Sequence, residues 1–235
     1  MINRVTSPNR KNRFKAIIIG GTGATGKQLL NQLLNNHNCK LVTSIGRRPV
    51  FDGKKNDKLM DVVIESLFKL SSTEEYWKNN DVFFNCIGTT RHRAGGAREF
   101  INIELGISNE AAKMAANANI PHASLISAKG ANHKLWAKDW IHPLLYIKTI
   151  GQKEQTIISN FSFNRVSIFK PGMLIRLQGE QTWLEQLSES KGFGLRVDTL
   201  ASAMICDAER VKFDPAQESP QYYIGNECIK SSLKL

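Results

Sequence analysis

KAIIIGGTGATGK, residues 15–27, is the stretch whose reading decides how this chain folds. Ala16 to Ile19 form a short, largely β-branched apolar run suited to a buried strand. Gly20, Gly23 and Gly26 follow at three-residue spacing, and Gln28-Leu29-Leu30 to Leu33-Leu34 then carries the apolar spacing of a helix. The first glycine allows a tight turn, the second lets the backbone approach a pyrophosphate, and the third lets helix and strand pack closely. Phosphates would sit on the free N–H groups at the helix N-terminus. The expected nucleotide cradle is therefore Gly20, Thr22, Gly23, Ala24, Thr25 and Gly26.

The same alternation runs on. Lys40 to Gly46 and Met60 to Glu65 read as the second and third strands, joined by the polar loop from Arg47 to Lys58. Ser72 with Glu75 has the pattern of a capping box that starts a short helix. Val82 to Ile87 is a fourth strand, Gly88 to Gly96 a loop, and Glu99 to Ala118 a helix with an alanine-rich face. His122 to Ser127, Leu144 to Ile158 and Arg165 to Phe169 continue as strand, helix and strand, closed by Pro171-Gly172. Apolar strands alternating with helices predict an α/β fold: a Rossmann-type doubly wound parallel sheet covered on both faces. Thr182 to Ser190 and Asp198 to Arg210 read as helical and Gln221 to Ile224 as a late strand, giving a small C-terminal substrate or lid region from about Leu174. The expected organisation is a basic arm over residues 1–14 and one domain over 15–235.

A chain of 235 residues can bury a full core without disulfides or metals. Cys39, Cys86, Cys206 and Cys228 form no CxxC pair, which suggests neither a zinc site nor a secreted disulfide framework. No apolar run approaches the roughly 20 residues that span a bilayer. The net charge of +11 is concentrated at the start, where residues 1–51 hold nine Lys or Arg and no acid before Asp52. Arg4, Arg10, Lys11, Arg13 and Lys15 form a polar arm that could meet a protein partner, with no firm sign of nucleic-acid binding. An arginine-rich, acid-free start also resembles a mitochondrial presequence. Its brevity and Pro8 weigh against that, so the expected compartment is cytoplasmic or nuclear, with mitochondria the lesser option.

In this fold the end of the second strand faces the adenosine ribose: an acid there binds a free 2′-OH, an arginine a 2′-phosphate. Here it reads Gly46-Arg47-Arg48, so NADP(H) is favoured over NAD, with Arg47 ahead of Arg48. Ile87-Gly88 would run beside the cofactor. His92, His122, His133 and His142 lack metal-ligand spacing and read as loop or strand-edge residues. Trp136 and Trp140, with Lys134 and Lys138, make an aromatic-basic patch that reads equally as a substrate lid, a partner site or a loop anchored by two buried indoles.

Five segments together carry a family resemblance: IGGTGATG from Ile19, IGRR from Ile45, CIGTTR from Cys86, LISAKGA from Leu125 and KPG from Lys170. Over about Phe14 to Leu174 the chain resembles the atypical short-chain dehydrogenase/reductase superfamily, and within it the family of the thirty-kilodalton Tat-interacting protein. The resemblance implies a Rossmann fold binding NADP(H), with Arg47, the Ile87-Gly88 backbone and the segment after Pro171-Gly172, including Ile175, around the cofactor. It also implies a role as oxidoreductase or as regulatory partner protein, including binding to nuclear transport receptors.

Short-chain reductases use a tyrosine as general acid, a lysine four residues on, and a hydroxyl after the fifth strand. Tyr146 stands in the matching helix, but the lysine position is Ile150. Lys148 points about 200° round the helix, and Lys153 shares the face about 10 Å along it, near the limit of a lysine's reach. A local backbone irregularity, or Lys129 approaching from the fifth strand, could supply the missing charge. Where the family pattern has two serines this chain has Ser127-Ala128, leaving Ser127 as the hydroxyl; Asn102 occupies the place of a relay asparagine. The expected catalytic set is Tyr146, Ser127 and Asn102, with Tyr146 also touching the cofactor and catalysis weak or impaired. The alternative is a non-catalytic NADPH-dependent partner-binding protein.

Overall fold

A computed structural model describes residues 13–137, 142–177, 193–214 and 218–234. β1 (Phe14–Ile19) feeds the glycine turn and α1 (Ala24–Asn35), followed by β2 (Cys39–Gly46), β3 (Leu59–Val63) and, after a short α2 (Glu74–Trp77), β4 (Val82–Asn85). Then come α3 (Arg91–Ala94), α4 (Ala97–Ile101), a π-helical segment (Asn102–Ile107) and α5 (Ser108–Asn117). β5 (His122–Ile126), α6 (His142–Asn160) and β6 (Arg165–Lys170) complete the repeating part. All seven strands of the main sheet are parallel, in the order β3-β2-β1-β4-β5-β6-β9, where β9 is Gln221–Ile224 and lies beside β6. This is the doubly wound order, whose ligand crevice lies where the strand order reverses, outside the carboxyl ends of β1 and β4.

Alternation along β1 sorts the core into two layers. Ala16 and Ile18 face Leu29, Leu30 and Leu33 of α1, with Leu200 and Met204 of α7 (Val197–Phe213) in the same layer. Ile17 and Ile19 face the other way, into the layer that holds Ala111 and Ala115 of α5, Ile157 of α6 and Trp77. A strand buried on both faces needs apolar residues at every position, which the Ala-Ile-Ile-Ile run supplies. β7 (Leu174–Ile175) and β8 (Leu195–Arg196) pair as a separate two-stranded ribbon ahead of α7, and α8 (Asn226–Ser231) follows β9.

Several local expectations change. Ser72 does not cap a helix, because its hydroxyl donates back to the Lys69 carbonyl at 2.8 Å within a 3₁₀ turn; Ser66 caps that turn instead. The loop from Gly88 contains α3, capped by the Thr90 side chain and ended by Gly95 in the left-handed region. The helix expected from Glu99 starts at Ala97 and is interrupted by the π-helical segment. His122 is not a strand-edge residue but lies buried under α7. Its Nε2 is 3.0 Å from Ser167 Oγ and 3.4 Å from Asp207, which also takes a 2.7 Å hydrogen bond from Tyr223 and a 3.3 Å contact from Arg165. Residues 1–12, Lys138, Trp140 and the helix expected over Thr182–Ser190 lie outside the described residues.

Candidate functional site

The glycine turn adopts the geometry its spacing requires. Gly20 has φ +82°, and a Cβ there would lie 2.5 Å from the Cys86 carbonyl oxygen. A Cβ on Gly26 would lie 2.1 Å from the Gly20 carbonyl oxygen, so this glycine sets the approach of α1 to the turn. Gly23 differs. It caps α1 in an extended conformation, and a Cβ would meet only Gly20 O at 3.2 Å and Cys86 O at 4.0 Å. The space beyond it is open, and no acidic side chain occupies the first turn of α1. An anion placed there meets unopposed helix N–H groups.

A cleft opens from this point. Its wall includes Gly23, Ala24 and Thr25, the Cys86 to Thr90 segment after β4, Ser127 after β5, Tyr146, Ile150 and Lys153 of α6, and Leu174 and Arg176 beside β7. Of the residues expected at the site, the fold thus brings together Gly23, Ala24, Thr25, Ile87, Gly88, Ser127 and Tyr146. Gly20 and Gly26 shape the turn behind them. Thr22 is exposed, and Ile175 is buried while its neighbours Leu174 and Arg176 face the cleft. Arg47 and Arg48 are exposed at the end of β2. Asn102 is exposed at the start of the π-helical segment and does not line the cleft. Lys129 is also exposed and lines a different surface hollow, with Met173 and Phe193, rather than the cleft that holds Tyr146.

Tyr146 lies against Phe100, with ring centroids 5.9 Å apart. Burial and the nearby Glu104 carboxylate push its hydroxyl up to about 12. This is the opposite of what a general acid working near neutral pH requires. Ile150 is buried in the lysine position. Ser127 donates its hydroxyl to Glu154, whose other oxygen pairs with Lys170 Nζ at 2.8 Å. Lys170 Nζ also donates to the Ala131 carbonyl at 3.2 Å, tying the loop before α6 to the end of β6. Gly151 permits that packing, since a Cβ on it would come within 2.4 Å of the Asn132 and His133 backbone.

Two cleft residues that sequence reasoning missed or misplaced are Glu104 and Lys153. Glu104, in the π-helical segment, and Lys153, on α6, form a buried ion pair at 3.0 Å. Glu104 also accepts from the Thr89 backbone N–H at 2.6 Å, and Lys153 Nζ donates to the Ile87 carbonyl at 3.3 Å. Cα–Cβ bonds lean toward the N-terminus of a helix, so Lys153 reaches back up α6 toward the level of Ile150. The signal available in the sequence was its shared face with Tyr146. Cys86, on the cleft wall, has its thiol pushed up to about 12 by burial, which the nearby Lys153 charge opposes only in part. It is therefore no thiolate nucleophile at neutral pH.

Among the described residues no group of three or more His, Cys, Asp or Glu side chains is placed to hold a metal ion, and no helix is long and apolar enough to cross a membrane. Trp136 is exposed rather than a buried anchor.

No protein-family model matches the chain. Protein HTATIP2 of Rattus norvegicus is 32% identical over 186 residues, covering 79% of this chain and 72% of the relative. The mitochondrial protein FMP52 of Debaryomyces hansenii is 38% identical over 163 residues, covering 69% and 67%. Among solved structures, the oxidoreductase ylbE from Lactococcus lactis superposes with a TM-score of 0.64 at 16% identity, covering 94% of this chain and 95% of that one. MoeE5 in complex with UDP-glucose and NAD gives a TM-score of 0.66 at 13% identity, covering 94% and 81%. These likenesses bear out the doubly wound fold and the family resemblance. They correct the expected compartment. The FMP52 relatives are mitochondrial by name, so the ordering that put mitochondria last is overturned.

Proposed function

This chain belongs to the HTATIP2 and FMP52 family of atypical short-chain dehydrogenase/reductases, and from that premise we propose that it binds NADP(H) in the cleft beside the glycine turn while its hydride-transfer machinery is impaired. The residues present fit such a group. The open space at Gly23 and the acid-free N-terminus of α1 suit a pyrophosphate, Ile87-Gly88 suits close backbone approach, and Arg47 suits a 2′-phosphate. Arg47 and Arg48 are both exposed at the end of β2, where a 2′-phosphate could meet their guanidiniums. Bound there, the nicotinamide supplies or accepts a hydride.

Reducing a carbonyl also requires a proton at its oxygen as hydride adds to its carbon. Tyr146 is the hydroxyl in the cleft suited to give it, and Ser127 the one suited to orient the oxygen. The observation that carries the reading is that neither is prepared for the task. Buried Ile150 stands where a lysine would lower the Tyr146 pKa, and Ser127 is engaged by Glu154. Binding is retained and proton delivery is lost. The test is cofactor oxidation over a panel of aldehydes and ketones. The expected result is a rate little above the enzyme-free blank; brisk turnover that disappears in Tyr146→Phe would overturn the impaired reading.

A further inference from the structure

The titratable groups that line the cleft are Arg93, Glu104, Tyr146, Lys153 and Arg176, with Cys86 on its wall. Arg93 is exposed and Arg176 half-buried, whereas Glu104 and Lys153 are almost wholly withdrawn from water. The two are held on both sides. Thr89 N–H fixes one Glu104 oxygen, Lys153 the other, and the Ile87 carbonyl takes a second ammonium hydrogen. The pair therefore has one geometry, and its charges cancel at short range. In a medium of low dielectric, an uncompensated ammonium at this place would act strongly on the neighbouring phenol, whereas a closed pair acts weakly.

We infer that Glu104 is the residue that separates nucleotide binding from proton transfer in this cleft: by holding Lys153 in a closed pair, it leaves no net positive charge facing Tyr146. Lys153 lines the same cleft as Tyr146 and Ile150, and Glu104 neutralises it there. Glu104 is no proton donor: it acts on Tyr146 through Lys153, which it neutralises, and as the nearby carboxylate that itself raises the phenol. Glu104 lies within the π-helical segment, where its side chain is buried. The inference deepens the proposed function and rests on Tyr146 being the hydroxyl that would serve the reaction.

The test is the ionisation of Tyr146 in the nucleotide-free protein. It is read as tyrosinate absorbance after subtracting the Tyr146→Phe signal, within the pH range where circular dichroism shows the fold intact. In the wild type Tyr146 ionises near 12 or beyond the folded range. Glu104→Gln keeps the volume and an acceptor for Thr89 while releasing Lys153, and is expected to lower the Tyr146 midpoint by about one unit or more. Adding Lys153→Met should return a clear part of that shift, the part due to the freed ammonium, while the part due to the missing Glu104 charge stays. Ile150→Lys, which leaves the pair and its folding contribution in place, should also lower the midpoint by about a unit, because Glu104 does not hold the new ammonium. A midpoint unchanged in Glu104→Gln, or equally low in the double variant, or unmoved by Ile150→Lys, overturns the inference. Because no nucleotide is present, these results stand apart from any failure of NADP(H) to bind.

Discussion

Alanine at Gly23 and at Gly26 should have opposite consequences, although the two glycines are one turn apart. A Cβ on Gly26 would lie 2.1 Å from the Gly20 carbonyl oxygen and 2.9 Å from its carbon, both backbone atoms, so α1 or the turn must move. Overpacking of this kind costs about 1–3 kcal/mol. A Cβ on Gly23 would touch only Gly20 O, at 3.2 Å, in a conformation any residue adopts, and exchanging one N-cap for another costs about 1 kcal/mol or less. It would, however, stand in the path by which a pyrophosphate reaches the helix N–H groups. The assay is thermal unfolding with and without NADPH at 100 times the wild-type Kd. Such a ligand adds about 2.7 kcal/mol, which for a chain of this length is about 5–11 °C in Tm. Gly26→Ala should melt several degrees early without ligand. Gly23→Ala should melt near wild type without ligand and lose most of the NADPH shift. If Gly23→Ala keeps the whole shift, the nucleotide does not approach the chain here and the reasoning fails.

Three further outcomes follow from the geometry. Arg47→Ala should weaken NADPH binding about tenfold or more while leaving NADH affinity unchanged, as read by calorimetric titration; equal losses for both would remove Arg47 from the 2′-phosphate site. Ile150→Lys should raise carbonyl-dependent NADPH oxidation by about a hundredfold, and no gain would mean that another group already supplies the charge or that proton delivery is not the missing step. Burial alone would raise the Asp207 carboxyl, but the hydrogen bond and charge of His122, with the Ser167 and Tyr223 hydroxyls, hold it at about 2. A carboxylate so depressed adds stability that is present above its unfolded pKa of about 3.9 and is lost as pH falls toward 2, about 2 kcal/mol in all. Asp207→Asn should flatten that acid limb in denaturant titrations between pH 4 and 2; an unchanged slope would show that the network does not hold the carboxylate.

The parts legible in the sequence were those fixed by neighbours in the chain. The Gly20-Gly23-Gly26 spacing, the apolar strands and the replacement of lysine by Ile150 are local patterns, and the fold follows them. What escaped was decided by residues far apart or by a winding that no periodicity marks. Lys153 was placed near the limit of reach by counting rise along α6, which ignores the lean of its side chain toward the helix start and the partner that holds it, Glu104, 49 positions earlier. Glu104 turns inward in a π-helical segment within a stretch read as plain helix. His122 was assigned from its place at a strand end, whereas Asp207, 85 positions later on α7, determines its burial and its partners. Ser72 had the spacing of a capping box, but a local bond to Lys69 was available first.

The most direct measurement is a calorimetric titration of the unmodified chain with NADPH and, separately, NADH. NADPH should bind clearly and more tightly than NADH, and the same sample should leave the cofactor essentially unoxidised when carbonyl compounds are added. If neither dinucleotide binds, the cleft beside Gly23 is not a cofactor site and the proposed function is wrong.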